Sequence, residues 1–193
     1  VISSDKTGTL TQNKMEVVEI RAEDKRFAIE LGSMCTDCYI SYENGIRKVG
    51  GEPTEIAIVE AGIKIDKNKN ELEQQMKRVA EIPFDSNRKM MTTIHKVGSK
   101  YRIITKGAPD VLLSKCNKVY TKSGIKNMGE IDREKIQRNN LEMANQALRV
   151  IAVGYLDIDN IPNNITSENI EQQLIFVGLI GMIDPPREGV KEA

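Results

Sequence analysis

The hydrophobic pattern is densest in two runs, VIAVGYLDI (150–158) and LIFVGLIGMID (174–184), where apolar residues occupy odd and even positions alike. A strand apolar at both parities is covered on both faces, so these runs read as central strands. VAEIPF, KMMTTIHKV and KYRIITKG (79–84, 89–97, 100–107) are β-prone, and Gly98-Ser99 between the last two signals a hairpin. MEVVEI (15–20) is a further strand candidate, and NKVYTKSGIKNMG (117–129) reads as loop and strand. Helical spacing appears in FAIELGSMCTDCYISY, where Phe27, Leu31, Met34, Cys35 and Cys38 share a face, and in EPTEIAIVEAGIKI, which begins with Pro53 at a first helical position. KNKNELEQQMKR (67–78) reads as a short solvated helix and APDVLLSKC as a helix after a turn. DREKIQRNNLEMANQALR is amphipathic, with Ile136, Leu141, Ala144 and Leu148 on one side. Gly50-Gly51 marks a turn, and the Asn-rich link DNIPNNITSENIEQQ reads as exposed. A hairpin beside several helices predicts an α/β fold with a largely antiparallel sheet.

Composition narrows the function. The 193 residues are 39% hydrophobic and 29% charged, with Lys+Arg 28 against Asp+Glu 28. Zero net charge argues against a nucleic-acid binder that relies on an overall basic field. Trp is absent and aromatics are 4%, which leaves no stacking platform for single strands. No apolar run approaches the roughly 20 residues of a bilayer span, so a module outside the membrane is expected. The chain starts without Met and with a motif at its edge, as if excised from a larger protein. Cys35-Thr-Asp-Cys38 has knuckle spacing but no second pair, and a buried helix face in a reducing, cytosolic setting fits the three cysteines better.

The opening segment VISSDKTGTLTQNKM carries the candidate chemistry. Val1-Ile2 is apolar, and Thr7-Gly8-Thr9 forms a polar turn beside the carboxylate of Asp5. The N–H groups of such a turn can converge on an anion. A carboxylate beside a phosphate needs a cation between them. Asp5 is therefore either a turn residue or a nucleophile that attacks phosphorus with a metal ion's help.

SDKTGTLT closely resembles the phosphorylation loop of P-type cation-transporting ATPases, and GEPTE, FDSNRKMM with TKGAP, and MIDPPRE follow in the family's order. The resemblance spans essentially the whole chain. It implies a nucleotide-binding domain at about 21–178, inserted in a Rossmann-like phosphorylation domain whose edges are 1–20 and 179–193. It implies Asp5 as the phosphorylated residue, with ATP and Mg²⁺ as cofactors. The other partners implied are the remaining phosphorylation, actuator and transmembrane domains. Asp5 and the carbonyl of Thr7 would be hard oxygen ligands for Mg²⁺. Related phosphatases carry a second Asp where this chain has Thr7. A threonine hydroxyl cannot act as acid or base at neutral pH, so the acyl phosphate should persist.

By the same resemblance, Phe84 faces adenine and Glu55 accepts from its amino group, while Lys106 and Gly107 sit at the pocket. Lys89 and Arg149 hold phosphates, and Met91 with Ile151 lines the apolar wall. The muscle calcium pump of the family has Arg where this chain has Ser86, which shifts phosphate contact toward Lys89. Position 3 is commonly Cys in the family and is Ser3 here. The wording GEPTEIAI and IPFDSNRKMM is most similar to a bacterial-type calcium pump, with a parent protein in the plasma membrane and this region cytoplasmic. Sodium/potassium- and proton-type pumps are the neighbouring reading. A free-standing aspartate phosphatase and a non-catalytic interaction domain are the readings from other classes.

Overall fold

The computed structural model describes residues 11–186 of the chain. Its centre is the strand β10 (Leu174–Ile183), buried along almost its whole length, which is what the second apolar run predicts. β10 pairs antiparallel with β9 (Arg149–Ile158), and β9 with β6 (Lys100–Gly107). β6 forms a hairpin with β5 (Met90–Val97), and β4 (Arg78–Asp85) closes that edge. On its other side β10 is shared. Leu174–Phe176 pairs parallel with β7 (Cys116–Thr121), which continues into β8 (Gly124–Asn127), and Gly178–Ile183 pairs antiparallel with β1 (Glu16–Ala22). The result is an eight-stranded, largely antiparallel sheet flanked by helices, the α/β class the pattern predicts.

Alternation along β5 and β6 assigns the two faces. The front face carries Met91, Ile104 and Val153 under α1 (Lys25–Met34) and α2 (Pro53–Lys64). The reverse face carries Met90, Ile94, Ile103 and Ala152 under α4 (Pro109–Ser114) and α5 (Glu130–Asn145). Asp24 caps α1 by accepting from the Phe27 N–H at 2.9 Å. Pro53 opens α2 with no N–H to leave unpaired. Each fully buried Ile or Leu contributes about 1.5–3 kcal/mol, so the two layers carry the stability of the fold.

Four local expectations are corrected. The helical pattern through Cys38 stops at Met34, because Tyr39–Glu43 (β2) and Ile46–Gly50 (β3) form a separate hairpin. Its turn is Asn44-Gly45, both at positive φ (52° and 77°) as such a hairpin requires. Cys35 is buried at the end of α1, and Cys38 joins Ile40 and Val59 in a small satellite cluster. In α5 the inward residues are Ile136 and Met143, whereas Leu141 is 61% exposed and Ala144 is also outside. The helix at Lys69–Gln75 (α3) is not fully solvated: Leu72 is buried, and so is Lys69, whose ammonium pairs with Glu73. The Asn-rich link holds a one-turn helix, Ser167–Ile170 (α6), with Ile170 and Glu171 buried.

The two outermost described segments meet. Gln12 N–H donates to the Pro185 carbonyl at 3.1 Å, and the Thr11 hydroxyl donates to Asp184 Oδ2 at 2.6 Å. The chain therefore enters and leaves the sheet at one place. β1 and β10 run through residues 20–21 and 178–179 without interruption.

Candidate functional site

Glu55 stands in the first turn of α2, where the positive end of the helix dipole favours a carboxylate. Its Oε2 accepts from the Asp37 N–H at 3.0 Å, and its Oε1 pairs with the Lys106 ammonium. Lys106 lies on β6 opposite Met91 on β5, and its Nζ is 3.6 Å from the Met91 sulfur. The two charged side chains are 7% and 12% exposed, so the pair sits at the margin of the core. A carboxylate there has one oxygen fixed by backbone and one by a cation. It can accept further hydrogen bonds through its remaining lone pairs, and the ammonium can donate more.

The loop behind Glu55 is fixed by a residue that sequence reasoning missed. Arg78 donates to the carbonyls of Met34, at 3.3 Å, and Thr36, and to Asp37 Oδ1 at 3.0 Å. It thereby clasps the segment that presents the Asp37 N–H to Glu55. No local signal marks this role, since Arg78 ends a charged run and its partners lie some forty residues earlier.

Lys89 and Gly107 are brought together by backbone. The Lys89 carbonyl accepts from the Ala108 N–H at 3.0 Å, and Lys89 itself has φ 56°. A Cβ on Gly107 would lie 2.4 Å from that carbonyl, so only glycine permits the approach. Phe84 is 62% exposed near the end of β4, beside Asp85, which pairs with Met90. Ile151 is half-buried on β9, on the face of Val153, which is opposite Lys106. Arg149 begins the same strand and is exposed. No hydrogen bond or ion pair ties Phe84, Arg149 or Ile151 to the Glu55–Lys106 pair among the described residues. Phe84, Met91, Lys106 with Gly107, and Arg149 with Ile151 instead lie along four neighbouring strands, β4, β5, β6 and β9. Asp5 and Thr7 lie outside the described residues, and so does Ser3.

The nearby thiols are held neutral. Burial pushes the Cys38 thiol up to about 12, and the Glu55 charge adds to it. Burial also raises Cys35, whose Sγ donates to the Met91 and Ile104 carbonyls. A surface cavity of about 510 Å³ lies elsewhere, between β1, β7 and α5. Arg21 and Lys126, two of the cations lining it, are already paired, with Glu19 and Glu142 and with Asp132. Glu55, Phe84, Lys89 and Lys106 do not line it.

The model of the P-type ATPase cytoplasmic domain N matches residues 26–189. The chain belongs to the P-type ATPase family. It is similar to calcium-transporting ATPase 1 of Bacillus cereus, at 38% identity over all of this chain and 23% of that protein. A calcium-transporting ATPase of Listeria monocytogenes is 39% identical over 98% of this chain and 23% of its own length. Calcium-transporting ATPase 1 of Lactococcus lactis is 36% identical, with 100% and 23% covered. The chain thus spans 23% of the length of these relatives. Within this N domain, Glu55, Met91 and Lys106 form one contact group, and Lys89 with Gly107 forms a second beside it.

Proposed function

We propose that this N domain binds ATP at the Glu55–Lys106 margin and presents the γ-phosphate to Asp5 in a cation pump, with Ca²⁺ as the cargo. The contact of Lys106 with both Glu55 and Met91 carries the reading. An acceptor, a cation and a soft apolar surface meet there, and Phe84, exposed near the end of β4, is the aromatic assigned to the base. An adenine ring needs that combination: an acceptor for its amino group, an apolar wall and a stacking face. Lys89, on the turn next to Gly107, and Arg149, at the start of β9, are the cations for the phosphates.

The meeting of the segments around Thr11 and Asp184 supports an inserted domain, which must be entered and left at one place. The boundaries 1–20, 21–178 and 179–193 belong to this reading, as do the phosphorylation, actuator and transmembrane domains and a bacterial plasma membrane for the parent. The three relatives are calcium-transporting ATPases, which supports Ca²⁺ as the cargo. No helix among the described residues is long and apolar enough to cross a membrane. Mg²⁺ would be held by Asp5 and Thr7, and it supplies charge neutralisation between carboxylate and phosphate. Among the described residues no cluster of three His, Cys, Asp or Glu could hold a metal, so none competes with that loop.

Titration with ATP, followed by backbone amide NMR shifts, tests the site. Shifts gathered at Glu55, Phe84 and Lys106 are expected. Shifts confined to the cavity at Arg21 and Tyr120, or no response at all, would sink it.

A further inference from the structure

We propose that Arg88 and Glu171 are a positioning pair for the nucleotide site, fixing the β4–β5 turn from the reverse face of the sheet. This rests on the reading of the site given above. Thr92 and Thr105 follow and precede Met91 and Lys106, so their hydroxyls point to the face opposite the candidate site. There the Glu171 carboxylate, with no exposed surface, accepts from Thr92 at 2.7 Å, from the Ser167 hydroxyl and from Arg88 Nε at 2.9 Å. The Thr92 hydroxyl lies 2.8 Å from that of Thr105, which ties β5 to β6 at the same level.

Arg88 uses the rest of its planar group on backbone. Its Nη2 donates to the Pro83 carbonyl and to the Met90 carbonyl, each at 2.9 Å. One guanidinium therefore spans the peptide that enters Phe84 and the first residue of β5. Between these points the turn is held by Asp85, whose Oδ1 accepts from the N–H groups of Asn87 at 3.0 Å and Arg88 at 2.7 Å. At its far end the turn is pinned by the Lys89 carbonyl on Ala108. Glu171 fixes the guanidinium plane, and the guanidinium fixes the distance between β4, which carries Phe84, and the start of β5, which follows Lys89. Neither side chain of the pair shares the face of Lys106. They act through the turn.

Lysine in place of Arg88 keeps a cation beside Glu171 but loses the fork that reaches two carbonyls. The double variant Arg88→Met/Glu171→Leu removes both charges together, which buried pairs often tolerate without loss of stability. Wild type, Arg88→Lys and the double variant of the 193-residue chain are each titrated with ATP and followed by amide hydrogen exchange. In both variants the ATP dissociation constant is expected to rise about three- to tenfold, the scale of one misplaced contact. Exchange at Lys89 and Ala108 should quicken while β10 stays protected. Wild-type affinity with undisturbed exchange overturns the positioning role alone. Affinity that falls only as β10 exchange quickens marks a purely structural pair and overturns it too. A wild-type chain that does not respond to ATP removes the site reading, and the positioning role with it.

Discussion

The two faces of the sheet each carry a buried acid–base pair, Glu171 with Arg88 behind Thr92 and Glu55 with Lys106 beside Met91, and the pairs are satisfied differently. On the reverse face Glu171 is fully buried and accepts from a guanidinium and two hydroxyls. On the front face Lys106 has a carboxylate and a thioether sulfur, the latter a weak acceptor. A saturated pair contributes order, whereas a pair with bonding capacity left over can take a ligand. The same sheet thus separates rigidity from reactivity by alternation alone.

The largest test of that difference is to remove one acid from each face. Glu171→Ala leaves Arg88 without its carboxylate in a dry setting and should cost about 3–5 kcal/mol of folding stability. Glu55→Ala leaves a lysine on a flexible stem near the surface and should cost only about 1–3 kcal/mol. Urea unfolding of both variants gives the comparison. Equal losses would mean the front pair is as sealed as the reverse one.

A second test uses pH on the front face, beyond the site. His95 is buried, and its Nδ1 lies 3.0 Å from the Met76 carbonyl, so that nitrogen carries the proton. Nε2 then accepts from the Thr93 hydroxyl at 2.9 Å. Burial lowers its pKa to about 4, with Arg78 and Lys69 acting in the same direction and the Met76 bond and Glu73 opposing. The unfolded chain takes up the proton near pH 6.5 and the folded chain only near 4. Stability is therefore full above about 6.5 and falls by up to roughly 3 kcal/mol as pH drops toward 4. His95→Gln should flatten the slope between pH 6.5 and 5, measured by urea unfolding. An unchanged slope would show that His95 is not held neutral.

The faces also differ in how well the sequence announces them. Met91, Glu55 and Lys106 lie in the short segments FDSNRKMM, GEPTE and TKGAP, which are read together, by their order, through the family resemblance. Glu171 lies in an Asn-rich link that reads as exposed, and only its pairing with Arg88, 83 positions away, explains its burial. The hairpin at 39–50 was hidden for a related reason. Cys35, Cys38 and Ile40 are all buried, but in two clusters, and that mimics a helix continuing past Met34. The central strands and the hairpin at Gly98-Ser99 were legible because their burial is set by unbroken local pattern. Leu141 shows the converse, an apolar residue at helical spacing that the neighbouring elements leave in water.

A third, smaller effect separates ligand contact from packing at the end of β4. Phe84 is 62% exposed, so Phe84→Ala should change folding stability by no more than about 0.5 kcal/mol. ATP binding should weaken by about 1–3 kcal/mol if the ring stacks on adenine. Calorimetric titration beside a thermal melt reads both. A melt that falls as far as the affinity would make Phe84 a packing residue and remove the stacking face.

The smallest expected effect concerns how closed the front pair is. The Lys106 side chain is 7% exposed and bonded to Glu55, whereas the Lys100 side chain on the same strand is 62% exposed. An amine-reactive reagent attacks only a reachable amine, and Lys106 is held against Glu55 at the margin of the core. Lys106 should therefore react more slowly than Lys100. Glu55→Gln removes the charge and loosens the contact, which should quicken Lys106 severalfold, about 1 kcal/mol in the opening equilibrium. ATP should slow it again in the variant by covering the amine. Peptide mass mapping after brief labelling reads each lysine separately. If Lys106 reacts as fast as Lys100 in the wild type, the pair is open in solution. The contrast between a sealed reverse face and a ligand-ready but closed front face then fails at its front half.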